Sequence, residues 1–430
     1  SKDDSRYHGR SGPHHLETAM ILSALHAVLL CLLAAPQQTQ LPPHLTRAVG
    51  HLNGGRAAQA IEALDAILAD DPEDGMAWYF HGLAHHGAGQ LDEAAQGHLM
   101  AQALLSAGHP LKVNATYNMA CAYALKGNTE RALVWLHRAR NVGFANAPLL
   151  ASDTDLDGLR DDPRFAAFVS RSALIPAAAG SARVDSPAGI LAGGTGGVTF
   201  APDGSLYVAD FGNRVYHVQT DGSSRVFATG FGKAADCTVD GAGHLLQVDF
   251  GNSKLLRIAP DGTQVDLEVS GLNGPVGIDI ADDGTIYLTN FNQRAIGSVQ
   301  PGKPFQTLSQ GGLLNGPNGL CVVDDTIYVC NYSDGIVLGV DRATGEQRFL
   351  TSLPGGGNGH LAWADGALWV TDRKGHRIVR VTEDGSARVV AGSGSQGSAD
   401  GDVSSATLSL PNGIAVTPDG TTLWINDALT

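Results

Sequence analysis

The stretch VTFAPDGSLYVADFGNRVYHVQTDG at residues 198–222 decides the fold of the larger part of this chain. It contains three short runs in which apolar and polar residues alternate, and Asp-Gly pairs follow the first and the third run. Alternation with a period of two is typical of β-strands, and Asp-Gly pairs supply the positive φ angles that tight hairpin turns require. The stretch therefore predicts three consecutive antiparallel strands.

The same unit recurs along the rest of the chain. The copies open at Val198, Cys237, Ile278, Leu320, Leu361 and Ile414, which gives steps of 39, 41, 42, 41 and 53 residues. A period of about 40 residues with several short strands per unit indicates the blades of a propeller. We therefore predict an all-β six-bladed propeller over residues 171–430. The sixth unit shows two strands, and we expect residues 181–193 to complete it, because a ring must hide its strand edges.

A helical repeat precedes the propeller, at residues 41–170. Gly55, Gly89 and Gly127 align at steps of 34 and 38 residues. Small or apolar residues recur at fixed offsets from these glycines: Ala48, Gly82, Ala120, Ala60, Ala94, Ala132, Ile67, Ala101 and Ala139. Small residues at this spacing let two antiparallel helices approach closely, and the glycine opens the turn between them. The pattern resembles the tetratricopeptide repeat, which implies a short solenoid. Binding of a peptide partner and a purely structural role both remain open for it.

The N-terminal segment has the features of a targeting signal. Residues 1–19 are interpreted as a tag or an upstream extension, and residues 20–40 as a signal peptide and linker that starts at Met20. The run ILSALHAVLLCLLAA at 21–35 has the length of a signal-peptide core and is too short to span a membrane. The alternative is a buried helix of the next domain. The signal-peptide interpretation predicts an exported protein, periplasmic or extracellular, without a stable membrane span.

The charge and the cysteines exclude some functions. The formal net charge is −15, which argues against a nucleic-acid partner, because phosphate-binding surfaces need clustered Lys and Arg. It is compatible with a cation or a small neutral substrate. No CxxC pair occurs, so neither a zinc site nor a thioredoxin-like site is expected from the cysteine spacing. If the hairpin at 321–330 turns at Asp324 and Asp325, Cys321 pairs with Tyr328, so no disulfide to Cys330 is expected.

The repeated unit resembles the NHL-repeat propellers and the propellers of the regucalcin/gluconolactonase and strictosidine-synthase-like families. The resemblance rests on YVADFGNRV at 207–215, on the PNG openings at 317–319 and 411–413, and on the PDG turns at 202–204 and 260–262. It covers the propeller and leaves the helical repeats outside. In the hydrolases among these families, a calcium ion in the channel polarises the substrate oxygen. A Glu at one blade opening and Asn and Asp at others hold that ion.

Four blade openings carry side chains suited to such chemistry. Oxygen ligands that converge on one axis suit calcium, and the resemblance implies Asp236, Asn318 and Asn412 as ligands. His360 is the histidine at a blade opening and is the candidate general base. The Glu ligand of the family is absent, because the glutamates of the propeller lie near outer turns: Glu268, Glu346 and Glu383. The Asn-Gly pairs as ordinary turns and His360 as a hydrogen-bonded plug remain the alternatives.

Two further acidic motifs are expected to be structural. Asp210 and Asn213 recur as Asp249 and Asn252 after the next second strand, and one site cannot need the same pair in every blade, so we expect them to cap turns. The segment DTDLDG at 153–158 matches the first half of a calcium loop. Its twelfth position is Arg164 instead of Glu, which favours a loop and helix cap.

Two functions of different classes follow, and other propeller chemistry, such as a lyase or condensation reaction, stays open beside them. The first is a metal-assisted hydrolase of the lactonase or esterase type that acts on a small ester or lactone in the channel, with calcium as its cofactor. The second is a non-enzymatic exported scaffold that binds protein or peptide partners through the helical repeats and the propeller. No GxSxG, HExxH or P-loop motif occurs, so serine hydrolases, zincins and NTPases have no support.

Overall fold

The computed structural model describes residues 41–106, 108–170, 182–184, 196–417 and 421–427. The chain divides into two compact units, residues 1–170 and residues 171–430. The predicted extension, signal peptide and linker at 1–40 lie outside the described residues. In the described ranges, every helix is too short or too polar to cross a lipid bilayer.

The first unit is helical. Its α-helices are, in chain order, α1 (Thr46–Asn53), α2 (Ala57–Asp70), α3 (Gly75–Gly87), α4 (Leu91–Leu104), α5 (Pro110–Leu125), α6 (Thr129–Asn141), α7 (Ala147–Ser152) and α8 (Pro163–Ser170). Short 3-10 helices lie at Pro43–Leu45 and Thr154–Leu159. Asp74, Asn128 and Asn146 cap α3, α6 and α7 with their side chains, which satisfies backbone N–H groups at the helix starts.

The first six helices form three hairpins, as the repeat predicts. Gly55, Gly89 and Gly127 lie in the three turns with φ of 67°, 73° and 71°, a region that favours glycine. The α3–α4 pair is so close that a Cβ on Gly97 would lie 2.6 Å from the backbone nitrogen of Gly82. The aligned alanines are buried in these hairpins: Ala60, Ala94, Ala101, Ala132 and Ala139. The helical hairpins are therefore confirmed, and their assignment as tetratricopeptide repeats stays a proposal.

The second unit is a β-propeller. After β1 (Arg183–Val184), blade 1 contains β2 (Val198–Phe200), β3 (Leu206–Ala209), β4 (Arg214–Val218) and β5 (Ser224–Thr229). Blade 2 contains β6 (Ala234–Val239), β7 (Leu245–Asp249), β8 (Lys254–Ile258) and β9 (Gln264–Asp266). Blade 3 contains β10 (Pro275–Ile280), β11 (Ile286–Asn290), β12 (Ala295–Val299) and β13 (Gln306–Gln310).

Blade 4 contains β14 (Pro317–Val323), β15 (Thr326–Asn331), β16 (Ile336–Asp341) and β17 (Gln347–Ser352). Blade 5 contains β18 (Leu361–Ala364), β19 (Ala367–Asp372), β20 (Arg377–Val381) and β21 (Ala387–Ala391). Each of these five blades is an antiparallel sheet with its strands in chain order. After β22 (Gly401–Asp402), a last sheet contains β23 (Ile414–Val416) and β24 (Leu423–Ile425).

The inner strands surround a central channel. Contacts join β2, β6, β10, β14, β18 and β23 in that order, and β23 also contacts β2. The six predicted openings therefore lie on the innermost strands of five four-stranded blades and one two-stranded sheet among the described residues. The register of β14 and β15 pairs Cys321 with Tyr328, as the sequence predicts. Cys121, Cys237, Cys321 and Cys330 are buried and free.

The structure describes only residues 182–184 of the segment that we expect to complete the last sheet. Residues 185–193 lie outside the described residues, and the described part of the segment, β1, pairs with β22 instead of β23 or β24. Arg183 lies opposite Asp402, and Val184 packs against the apolar cluster that includes Ile414 and Ile425. The long loop after blade 5 thus supplies a backbone partner that the repeat pattern does not contain.

Candidate active site in the propeller channel

The inner strands enclose a cavity of about 750 Å³. Residues of all six inner strands line it, from Asp236 and His360 near the strand starts to Asp324 and Asp325 at the turn after β14. A cavity of this size is within the usual range for small-molecule sites. The channel is therefore the candidate site.

A buried histidine and a buried aspartate meet in this cavity. Nδ1 of His360 lies 3.1 Å from Oδ2 of Asp236, and the two residues are 4% and 8% exposed. His360 precedes β18 of blade 5 and Asp236 lies on β6 of blade 2, so the pair joins two blades that face each other across the channel. A carboxylate that accepts a hydrogen bond from one imidazole nitrogen leaves the other as a base.

Backbone contacts hold both members of the pair. The Asp236 carboxylate accepts hydrogen bonds from the N–H groups of Cys237 (2.9 Å) and Ile278 (3.3 Å). The N–H of His360 donates to the hydroxyl of Thr371 at 2.8 Å and to the carbonyl of Asn412 at 2.9 Å. Gly197 leaves the space for Asp236, because a Cβ there would lie 1.8 Å from Oδ1 of the carboxylate. These contacts hold the Asp236 carboxylate and the backbone of His360 in place.

The charged side chains in the remainder of the cavity wall are mostly acidic. The carboxylates in it are Asp279, Asp282, Asp324 and Asp325, and the cation is Arg342. Burial raises the pKa of Asp279 to about 6, against the lowering effect of hydrogen bonds from the N–H groups of Val322 and Ile280. Arg342 is already paired with Asp283 at 2.7 Å. The cavity therefore favours neutral or cationic molecules over anions.

The two asparagines of the predicted metal set connect blades. Nδ2 of Asn318 donates to the carbonyls of Asn358 (3.1 Å) and Gly359 (2.8 Å), which precede β18. The carbonyl of Asn412 accepts hydrogen bonds from His360 and Thr371. Both side chains are buried. Each asparagine therefore takes part in contacts between neighbouring inner strands.

The predicted calcium set is partly engaged in hydrogen bonds in this arrangement. Asp236 is its one carboxylate, and that carboxylate already accepts bonds from Cys237, Ile278 and His360. An ion on Oδ2 of Asp236 would therefore have to replace the contact with His360.

The repeated acidic residues after the second strands cap turns. The carboxylate of Asp249 accepts from the N–H groups of Gly232, Lys233 and Asn252. Asp210 accepts from those of Gly212 and Arg214. Their side chains bind the backbone of nearby loops, as the repetition indicates.

The sequence analysis did not identify a second hydrogen-bonding position, which lies one residue before the capping residue of each second strand. Thr289, Cys330, Thr371 and Asn426 precede the capping residue of their second strands, and each side chain donates to a carbonyl at the next blade opening. The acceptors are, in the same order, the carbonyls of Asn318, Gly359, Asn412 and Gly196. We call this set the inter-blade clamp. Its signal in the sequence is the polar residue within LTN, VCN, VTD and IND.

The sequence analysis also did not identify an arc of aromatic rings in blades 1 to 4. Phe211, Phe250, Phe291 and Tyr332 follow the capping residues of blades 1 to 4, and successive ring centroids lie 6.0, 6.3 and 6.2 Å apart. Lys233 lies over the rings of Phe211 and Phe250, and Lys374 lies over that of Tyr332. Phe211 is 37% exposed, so the arc reaches the surface.

Comparisons with known proteins concern the fold. No family model and no curated protein matches the sequence. Among solved structures, the chain is similar to a gluconolactonase from Xanthomonas campestris, with 20% identity over 59% of this chain and 94% of that one and a TM-score of 0.47. It is similar to virginiamycin B lyase from Staphylococcus aureus, with 16% identity over 54% and 78% and a TM-score of 0.42. An auxiliary nutrient binding protein from Bacteroides ovatus shows 19% identity over 56% and 70% and a TM-score of 0.48.

Proposed function

We propose that the propeller is a hydrolase of small neutral esters or lactones, with His360 as the general base. The contact between His360 and Asp236 carries the proposal, since it joins a buried imidazole to a buried carboxylate in a cavity of about 750 Å³. General bases of hydrolytic enzymes are commonly histidines that a carboxylate orients.

The reaction follows from this pair. With a hydrogen on Nδ1 that is donated to Asp236, the Nε2 atom of His360 accepts a proton from water while the water oxygen bonds to the acyl carbon. The π electrons of the carbonyl group move onto its oxygen, which gives a tetrahedral oxyanion. Asp236 stabilises the imidazolium that forms. The oxyanion then re-forms the carbonyl group as its bond to the alkoxy oxygen breaks, and the imidazolium gives its proton to that oxygen. A lactone yields a hydroxy acid, and an ester yields an acid and an alcohol.

The acidic side chains of the wall bear on which molecules enter and leave the cavity. A neutral substrate enters without a Coulomb penalty, whereas the carboxylate product is repelled by Asp279, Asp282, Asp324 and Asp325. The same repulsion disfavours phosphate esters as substrates. We therefore propose uncharged lactones and carboxylic esters as the substrate class.

A second form of the proposal adds a calcium ion that Asp236, Asn318 and Asn412 would hold. An ion on Oδ2 of Asp236 would compete with Nδ1 of His360 for the same oxygen, so the two arrangements are distinguishable. The form with calcium requires the ion for turnover, and the form with the His360–Asp236 pair does not.

A non-enzymatic scaffold is the second candidate, and the aromatic arc favours it. Rings and cations that reach the surface side by side are common where proteins bind partners. For this scaffold we propose that the protein is exported, that the helical unit binds peptides as tetratricopeptide repeats do, and that the ring has six complete blades. In a scaffold, the His360–Asp236 pair would only close the channel.

The test is a turnover screen of the purified chain. Neutral lactones and aryl esters are assayed beside an anionic phosphate ester, each with a chelator, with added calcium and with neither. We expect turnover of a neutral ester or lactone that the chelator leaves unchanged, and none of the phosphate ester. Turnover that is lost with chelator and restored by calcium would support the calcium form. No turnover of any ester or lactone would leave the scaffold as the better account.

A further inference from the structure

A cluster of ligand-type side chains lies in the interior of the helical unit, apart from the channel. Cys121 on α5 and Asp153 and Asp155 around the start of the 3-10 helix Thr154–Leu159 offer a sulfur and two oxygens that all lie within 4.8 Å of one another. The Sγ atom of Cys121 lies 3.9 Å from Oδ2 of Asp153. All three residues are buried.

His86 on α3 lies beside the cluster and contacts one of its members, although it is outside the group of atoms that all lie within 4.8 Å of one another. Its Nε2 atom lies 3.1 Å from Oδ2 of Asp155, and its side chain is 5% exposed. Neither ring nitrogen of His86 has a hydrogen-bond partner within the part of the chain that the structure describes. A buried imidazole that makes no hydrogen bond costs free energy, and a shared ligand between His86 and Asp155 would account for their contact.

We propose that His86, Cys121, Asp153 and Asp155 bind a divalent transition metal of the zinc class. Ligand atoms on a tetrahedral zinc lie about 3.3 to 3.5 Å apart, given bonds of about 2.0 Å to N and O and 2.3 Å to S. The His86–Asp155 distance of 3.1 Å and the Cys121–Asp153 distance of 3.9 Å lie on either side of this spacing, and the other distances among Cys121, Asp153 and Asp155 are at most 4.8 Å. One nitrogen, one sulfur and two oxygens suit zinc, whereas calcium and magnesium require oxygen ligands throughout.

Neighbouring groups orient the ligands. The hydroxyl of Tyr117 donates to Oδ2 of Asp153 at 2.7 Å, and the N–H of Asp155 donates to Oδ1 of Asp153 at 3.0 Å. Such outer contacts fix the direction of a ligating carboxylate. The set differs from the calcium loop that the sequence suggests, because Asp157 is 61% exposed and pairs with Arg160.

The site would join separate parts of the helical unit. His86 belongs to the second hairpin, Cys121 to the third, and the two aspartates to the segment that follows α7. A metal bound by these residues stabilises the folded helical unit, since the unfolded chain does not hold the ligands together. The metal therefore has a structural role, independent of ester hydrolysis in the channel.

Elemental analysis and cobalt substitution test the proposal on the full chain. We expect about one equivalent of zinc in the wild type. Cobalt exchanged into the site should give the absorption of a thiolate-bound ion. Cys121→Ala should lose that absorption and most of the zinc. The matched control is Cys237→Ala, another buried free cysteine, which should keep both.

Two milder variants keep the test decisive if Cys121→Ala does not fold. Zinc affinity, measured by competition with a coloured chelator, should fall at least 10-fold in Asp155→Asn and in His86→Gln. A wild type that binds neither zinc nor cobalt would overturn the proposal. So would zinc affinity that is unchanged in both variants, or a thiolate absorption that persists in Cys121→Ala.

Discussion

Asp236 and His360 are 124 residues apart in the chain, yet their side chains touch. The sequence places both at blade openings, because the repeat makes their positions equivalent. It does not give the contact itself, since that depends on two blades facing each other across the ring. The hydrogen bonds of Asn318 are not predictable either. An Asn-Gly pair gives the same sequence pattern whether the amide binds a metal or donates to a neighbouring strand.

Asp236→Asn tests the orienting role of the carboxylate. An asparagine at this position can donate to Nδ1 of His360, which favours the tautomer that has its hydrogen on Nε2 and cannot act as a base. We expect kcat on a neutral ester to fall by about 10²- to 10⁴-fold with little change in KM. A kcat within about twofold of the wild type would contradict this role.

Asp279→Asn tests the buried acid. Its pKa is about 6 in the folded protein against 3.8 for an ordinary aspartate, so the folded state binds more protons between these pH values. The free energy of unfolding that Asp279 contributes therefore falls as pH rises from about 4 to about 6, by at most about 3 kcal/mol. Asparagine does not titrate, so this fall is absent in the variant.

Urea unfolding of both proteins from pH 4 to pH 7 measures the effect. The wild-type value minus the variant value should decrease through this range and level off above pH 6. Carboxylates with lowered pKa, such as Asp240 and Asp266, act in the opposite direction but cancel in the difference. A difference that does not vary with pH would contradict the raised pKa of Asp279.

At the scale of elements, the strands are the part that the sequence predicts well. Apolar alternation and Asp-Gly turns are local, so the second strands around 206–210 and 327–331 form where predicted. The inter-blade clamp is not predictable in the same way. A threonine within a strand indicates only that the residue favours β-structure. The carbonyl that accepts its hydrogen bond belongs to another blade, so the sequence pattern does not show it.

Thr371→Val tests the clamp. The hydroxyl of Thr371 donates to the carbonyl of Asn412 at 2.7 Å and accepts from the N–H of His360 at 2.8 Å. Valine keeps the shape and removes both bonds, so we expect a loss of about 1 to 3 kcal/mol in the free energy of unfolding. Thr371→Ser keeps the hydroxyl and should retain most of the stability. Equal losses in the two variants would show that the methyl group matters and the hydroxyl does not.

At the scale of the whole molecule, the repeat predicts that the ring closes but does not predict which residues close it. The two-stranded last sheet lies between blade 5 and blade 1, and Asn426 joins it to blade 1. Nδ2 of Asn426 donates to the carbonyl of Gly196, and its Oδ1 accepts from the N–H of Gly413. The pairing of β1 with β22 was not predictable, because the loop that contains β22 has no counterpart in the other units.

Asn426→Ala should therefore weaken the closed ring. The change removes two hydrogen bonds at the junction and leaves their buried partners without this side chain. We expect the free energy of unfolding to fall by about 2 to 3 kcal/mol. The control is Asn292→Ala, whose exposed amide bonds only Asn273 and should change stability by less than about 0.5 kcal/mol. A loss in Asn426→Ala no larger than in the control would argue against closure through this residue.

The measurement that bears most directly on the proposed hydrolase compares His360→Ala with His244→Ala. His244 lies in the turn between β6 and β7 and does not line the cavity, so its removal controls for the loss of a histidine. On the best ester or lactone of the screen, with both variants folded, we predict that kcat falls by about 10²-fold or more in His360→Ala. It should stay within about twofold of the wild type in His244→Ala. Equal kcat values in the wild type and His360→Ala would contradict the assignment of His360 as the base.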